Sequence, residues 1–279
     1  GATVGGMVAA GLSGPARASV GAVRDYLLGV VLINGRAELL TFGGQVMKNV
    51  AGYDVSRLMA GAWGTLGLLT EVSLKVLPVA PAEATLRFEC NQADALRKLH
   101  AWGGQPLPLN ASCWVEDAGV GQLYVRLRGA VAAVDAACKS MGGTRLDNAA
   151  AAPDWQACRE QTLPWFAARL ARPGQALWRL SLPATAPVLA LPGGVSPLVE
   201  WHGALRWVQA PLAHGDVLRE AARAVGGSAS LFIADGAVGE RAGGQFDLKS
   251  AALEQIHARL KHSFDPAGIF NPGRMAPQW

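Results

Sequence analysis

The chain has 279 residues, 51% hydrophobic and 16% charged, with a formal net charge of +4. That is enough chain for two ordinary domains with a real core, and the small, dispersed charge gives no electrostatic case for nucleic acid. No apolar run approaches the length that crosses a bilayer, and Leu27–Ile33 is far too short. The cysteines Cys90, Cys113, Cys138 and Cys158 form no CxxC pair. The spacing therefore argues against a structural zinc or an iron–sulfur cluster held by this chain and for buried, reduced thiols in a cytosolic protein.

In chain order, Gly1–Gly14 (GATVGGMVAAGLSG) reads as a loop plus a short helix packed under something flat or under phosphate. Tyr26–Ile33 is a strand, Asn34-Gly35 the best hairpin turn in the chain because both residues tolerate positive φ, and Arg36–Phe42 the returning strand. Asp54 caps a helix over Val55–Ala60, because its carboxylate can accept the unpaired amide protons of the first turn. Gly61 ends that helix. Gly61, Gly64 and Gly67 then recur at every third position before Leu68–Leu77, a strand stopped by Pro78. A stretch this bare lets another molecule approach its amides. Tight turns between helix and strand would explain the same glycines.

After a linker at Pro78–Pro81 the composition changes: glycine thins and tryptophan appears. Thr85–Cys90 alternates like a half-buried strand, and Asn91 caps a helix over Gln92–Trp102. Ala111–Glu116 and Leu123–Arg128 read as paired strands, Val131–Met141 and Asp154–Leu163 as helices. Trp178–Leu182 and Leu198–Val208 add strands, Ala213–Val225 a helix and Ser228–Ala234 a strand, with loops at Pro183–Pro197 and Val238–Gln245. Leu248–Phe264 is a helix, followed by FDPAGIFNPGRM, whose Asp265-Pro266 and Asn271-Pro272-Gly273 force turns. Ile269-Phe270 would be costly to expose, so the tail should dock. The predicted class is α+β, with an antiparallel sheet carrying helices on one face.

Few polar constellations stand out. His257 and His262 are five apart, off a common helical face, so a helical metal pair fails and no metal is assigned. His202, in VEWHGALRW, is flanked by aromatics on a predicted strand and is a candidate acid or base. Lys48, Asn49, Tyr53 and Asp54 stand beside the glycine turn. Glu71 can pair with Lys75 or Arg57, and Arg24 with Asp25. Glu254, Arg259 and Lys261 read as a solvated helix face. The nine tryptophans should be mostly core, with some marking a partner surface.

GATVGG, VRDYLLGVVLINGR, KNVAGYDVSRLMAG, GTLGLLTEVSLKVLP and FDPAGIFNPGRM, in that order, resemble the FAD-binding flavoproteins of the vanillyl-alcohol oxidase and p-cresol methylhydroxylase (PCMH) type. Within them the chain is most similar to the FAD-binding E-type subunits of bacterial glycolate oxidase. The resemblance is strong over 1–81 and the tail. It implies a partial PCMH-type FAD-binding domain at 1–81, a cap or substrate domain at 82–247, and a C-terminal helix and tail at 248–279 docking on the FAD domain. The family's first FAD subdomain, with its own pyrophosphate loop, precedes GATVGG and is not contained in this sequence.

Carried over residue by residue, the FAD contacts fall on Thr3, Val4, Gly5, Gly6 and Gly11, and on the turn carrying Gly61, Gly64, Thr65, Gly67 and Leu68. Thr3 would donate its hydroxyl, and Leu66 and Leu68 would flank a flat ring. In the family a small 2-hydroxy acid passes a hydride to the flavin, and electrons go on to an iron–sulfur subunit. The implied partners are that subunit and a paralogous flavin subunit, in the cytoplasm and peripheral at the inner membrane through the complex. No catalytic residue is assigned. A non-catalytic assembly subunit that does not bind FAD by itself is the alternative.

Overall fold

The computed structural model describes residues 2–45, 53–172, 174–234, 246–247, 250–276 and 278. The expectations for Lys48 and Asn49 and for the loop at 238–245 lie outside them. The chain forms two compact units: Gly1–Ser13 with Gly21–Pro78 and Gly244–Trp279, and Gly14–Val20 with Val79–Gly243.

The first unit is built on a three-stranded antiparallel sheet, β1 (Leu27–Ile33), β2 (Leu39–Gly43) and β3 (Leu68–Leu74), with β1 in the middle. Leu27, Val30 and Leu32 of β1 are buried against Val8, Met59, Ala62 and Leu66. Each such side chain stabilises by about 1.5–3 kcal/mol relative to exposure. The β1–β2 turn departs from the expected Asn-Gly hairpin. Asn34 Oδ1 accepts the amides of Arg36 and Glu38. The left-handed residue is Ala37 at φ 59°, not Gly35, so β2 begins at Leu39 rather than Arg36. Gly35 is required for a different reason: a Cβ there would meet Asp265 Oδ1 at 2.3 Å.

Asp54 caps the helix Val55–Met59 by accepting the Arg57 amide. Arg57 also pairs with Asp54 at 3.1 Å, and the ring of Tyr26 takes the Lys75 ammonium at 5.0 Å. Both expected partners of Glu71 are thus engaged elsewhere. Asp25 accepts the Ala22 amide rather than pairing with Arg24.

The C-terminal helix, Ala251–Phe264, corrects another expectation. Lys261 is 5% exposed and belongs to no solvated face. Its Nζ donates to Asp265 Oδ2 (2.6 Å), to the Thr65 carbonyl (2.8 Å) and to the Phe270 carbonyl (2.8 Å). Asp265 in turn accepts the amides of Ile269 and Phe270. The tail is held by this polar knot rather than by its apolar pair, since Ile269 is exposed. Farther on, Asn271 Nδ2 donates to the Trp63 carbonyl and Arg274 stacks on the Trp63 ring.

The second unit carries β4 (Ala82–Glu89), β5 (Leu109–Asp117), β6 (Val120–Gly129), β7 (Thr144–Leu146), β8 (Gln175–Ser181), β9 (Leu198–Glu200), β10 (Leu205–Pro211) and β11 (Ser228–Ile233). They form one sheet in the order β11-β8-β10-β9-β5-β6-β4-β7, with neighbouring strands antiparallel. The α+β class with an antiparallel sheet therefore holds. Strand alternation sorts the side chains by face. Leu86, Trp114, Val125 and Val199 pack with the helices Gln92–Gly103 and Val131–Met141, and Leu180 and Val208 with Gly215–Ala224. Ala111, Cys113, Leu177, Leu198, Leu205 and Trp207 pack on the opposite face with Asn148–Glu160 and Pro164–Ala167. Helices thus cover part of the second face as well, an arrangement the sequence reading did not separate. Six of the nine tryptophans are buried.

A candidate cofactor loop and an unpaired arginine corner

In the first unit, Thr3 caps the helix Val4–Ala10, its Oγ1 accepting the Gly6 amide at 3.0 Å. The hydroxyl expected only as a ligand donor is therefore also the helix cap. Gly11, at φ 62°, ends the helix. There the two glycine motifs meet backbone to backbone. A Cβ on Gly11 would lie 2.7 Å from Gly61 Cα, and the Gly61 and Trp63 amides donate to the carbonyls of Val8 and Ala9.

The remaining predicted contacts divide by what their missing side chain is used for. Gly64 (φ 65°) makes room for Asn271, and a Cβ on Gly67 would strike the Ile33 carbonyl at 2.6 Å. Thr65 is buried, donating its hydroxyl to the Ala62 carbonyl. Leu66 is in the core and cannot flank a ring, whereas Leu68 is 56% exposed. Gly5 differs from all of these. A Cβ there would meet nothing closer than the Leu69 carbonyl at 3.9 Å. Glycine within a helix costs about 1 kcal/mol relative to alanine, and nothing in this chain's packing demands it at this position. The helix's first-turn amides have no intrahelical acceptor, and Val4 and Met7 beside them are exposed.

In the second unit the sequence placed His202 on a continuous strand. The strand breaks instead. Trp201, His202 and Gly203 are consecutive left-handed residues at φ 54°, 56° and 100°, a corner between β9 and β10. His202 is tied down on both ring nitrogens. Its backbone amide donates to Ser112 Oγ at 2.9 Å. Its Nδ1 lies 3.1 Å from the same Ser112 Oγ and its Nε2 2.9 Å from Ser19 Oγ, both within hydrogen-bond reach. Burial pushes the imidazole below its ordinary pKa, so the ring is held neutral.

The Arg17 and Arg179 guanidiniums both lie on the Trp201 ring, 4.6 and 5.0 Å from its centroid. Trp201 Nε1 donates to the Gly14 carbonyl, which is why 14–20 packs with this unit, a segment the boundary at 81 did not set apart. Glu200, opposite Cys113 in the sheet, is buried. Burial raises its pKa against the lowering effect of two hydrogen bonds, from Trp207 Nε1 (2.6 Å) and Cys158 Sγ (3.2 Å). None of these neighbours of His202 was legible as a group.

Compared with known proteins, the chain is 45% identical over 274 residues to glycolate oxidase subunit GlcE of Escherichia coli (strain K12), covering 98% of this chain and 72% of that one. The chain belongs to the glycolate oxidase subunit GlcE family. A shorter match joins the GlcE-type chain to glycolate oxidase subunit GlcD of Bacillus subtilis (strain 168), 35% over 93 residues, 33% of this chain and 20% of that one. No protein-family model matches. Among solved structures, an alkyldihydroxyacetonephosphate synthase superposes with a TM-score of 0.60 at 15% identity, over 97% of this chain and 58% of that one. It shares the fold.

The second unit of the GlcE-type chain also holds a cavity of about 470 Å³, walled by Trp155, Trp165, Leu146 and Leu163 and edged by Glu116, Asp117 and Asp154. No lysine or arginine lines it, so it does not suit an anion. Among the described residues no cluster of His, Cys, Asp and Glu could hold a metal, and no helix is long and apolar enough to cross a membrane.

Proposed function

We propose that this chain is the FAD-binding subunit of a glycolate (2-hydroxy-acid) oxidase complex, its first unit supplying part of the flavin site and its second unit the cap. The observation that carries the reading is the 45% identity to GlcE running through 98% of the chain. The partners are then a GlcD-like flavin subunit and an iron–sulfur subunit.

FAD, when bound, accepts the hydride lost by the hydroxy acid. The chain's own residues hold and shield it. Val4 and Gly5 offer first-turn amides to the pyrophosphate, Gly5 allows close approach, and the Thr3 hydroxyl proton is left free by its capping role. Val4, Met7 and Leu68 supply exposed apolar surface that covering a ring would bury. Gly11, Gly61, Gly64, Thr65 and Gly67 shape the turn that positions them.

Flavin absorbance of the full-length protein, purified with its complex, tests this. Gly5→Leu should lose flavin and keep the fold by circular dichroism, because its Cβ has room. Gly64→Leu is the poorer probe, since its side chain would displace Asn271. Unchanged flavin in Gly5→Leu removes the helix from the site. A colourless wild-type preparation that still assembles with its partners turns the reading to an assembly subunit.

A further inference from the structure

We propose that Arg179 and Arg17, against the Trp201 ring in the second unit, form an anion site on this chain that takes the carboxylate of a small 2-hydroxy acid. The choice of acid rests on the glycolate oxidase reading. The existence of a site rests on the charges.

Other partly or fully buried arginines in this unit each reach at least one acceptor, although Arg206 Nε has none. Arg206 donates to the carbonyls of Ala186 and Pro187, Arg126 to Asn110, and Arg169 to the Gln175 carbonyl. Arg17 and Arg179 have only the indole face. Among the described residues neither side chain has a hydrogen bond or an ion pair. Arg17 is exposed and its donors face water, whereas Arg179 is half-buried. A guanidinium carries five donors, and those of Arg179 find no acceptor among the described residues of the chain.

The nearby acid does not supply one. Both Glu200 oxygens are already taken, by Trp207 and Cys158. Burial, reinforced by the like charge of Arg17, brings Arg179 down to about 10. At neutral pH it is still charged; the Glu200 carboxylate favours that charge through space but gives it no hydrogen bond. His202 adds no acceptor charge and no cation, because it is held neutral.

The backbone adds an independent sign. Left-handed geometry costs roughly 1–2 kcal/mol for each residue with a side chain, and Trp201 and His202 both adopt it. Strain of this kind persists where a functional arrangement needs it. Here it turns the indole toward both arginines and the imidazole toward Ser19 and Ser112. A planar guanidinium backed by an aromatic face matches a carboxylate through two parallel hydrogen bonds.

The test is calorimetric titration of the full-length protein in its complex with sodium glycolate. Sodium phosphate and sodium chloride at matched ionic strength are the controls. Arg179→Met keeps the stem and removes the charge. Glycolate affinity should fall about tenfold or more, while the melting temperature stays level or rises because a charge without a hydrogen-bond acceptor has left a partly dry site. Arg179→Lys keeps the charge, loses the fork and should fall between.

Unchanged glycolate affinity in Arg179→Met overturns the proposal. So does phosphate or chloride competing as well as glycolate, or a melting temperature that drops by several degrees along with the affinity, which marks a structural arginine. Flavin per polypeptide is read on the same samples. A flavin-free protein contradicts the cofactor reading while leaving the titration legible, so the two failures are told apart.

Discussion

Lys261 in the first unit and Arg179 in the second are both cations drawn away from water, and their surroundings differ in kind. Lys261 has three acceptors for its three protons: the Asp265 carboxylate and the carbonyls of Thr65 and Phe270. Arg179 has an aromatic ring, a second arginine and, through space only, the Glu200 carboxylate, whose oxygens are bonded elsewhere. A charge whose hydrogen bonds are all made inside the chain is part of the architecture, because any further ligand would have to displace a partner. A charge left with free donors in a partly dry place is unfavourable for the folded chain alone and becomes favourable only when something else supplies the acceptor. The comparison separates structural charge from functional charge on geometry alone.

The largest expected effect lies on the structural side. Asp265→Asn leaves the Lys261 ammonium buried without a counter-charge, which should cost about 3–5 kcal/mol. Chemical denaturation read by near-ultraviolet circular dichroism measures it. Replacing both partners by apolar residues of similar volume should recover much of the loss, since neither charge then needs solvating. The same pair sets an acid limit. Burial raises the Asp265 carboxyl, but Lys261 and the amides of Phe270 and Ile269 outweigh it, holding the group below its ordinary 3.8. A depressed folded pKa contributes stability that is present above 3.8 and lost as pH falls through the folded value. The wild type should therefore lose stability below about pH 4 more steeply than Asp265→Asn. Equal slopes would place the Lys261 charge on its carbonyl partners alone.

Local features were legible in the sequence because their partners are close by in the chain. Asp54 and Asn91 cap the helices they were expected to cap, and the helix Val131–Met141 has the predicted limits. The three glycines 61, 64 and 67 all take positive φ, yet the neighbours that matter are distant: Gly11, whose own missing side chain admits Gly61, then Asn271 against Gly64 and Ile33 against Gly67. Lys261 was misread for the same reason. A lysine on a helix that also carries Glu254 and Arg259 reads as solvated, and the carbonyl that buries it belongs to Thr65, 196 positions away. The apolar run VEWHGALRW has no proline to mark its break. Gly203 after two bulky residues was the available signal for a corner. Arg17 and Arg179 are two arginines among many, and only the tertiary fold brings them to one indole.

A smaller effect should follow from Gly35→Ala. The new methyl would meet Asp265 Oδ1 at 2.3 Å and its Cα at 2.7 Å, backbone that cannot swing aside. It pushes on the Lys261–Asp265 knot without removing a charge, so the cost should be that of overpacking, about 1–3 kcal/mol, below that of Asp265→Asn. Thermal unfolding of the two variants side by side gives the order. If Gly35→Ala were the more damaging, the packing of the β1–β2 turn rather than the ion pair would be what holds the tail.

The smallest expected effect belongs to the functional side. His202 is neutral because burial disfavours its charged form, so its folded pKa lies below 6.5. The unfolded chain then binds the proton more readily, and stability falls as pH drops through 6.5 toward the folded value. Asparagine tolerates left-handed geometry and does not titrate, so His202→Asn should flatten the melting-temperature profile between about pH 7 and 5 by no more than a few degrees. The direction distinguishes two accounts of the corner. A profile that flattens says the fold keeps the imidazole uncharged beside Arg17 and Arg179, leaving their charge for an anion. A wild type that gains stability as the pH falls would mean the imidazolium already has an acceptor there, and the unmet demand of Arg179 would have to be reconsidered along with it.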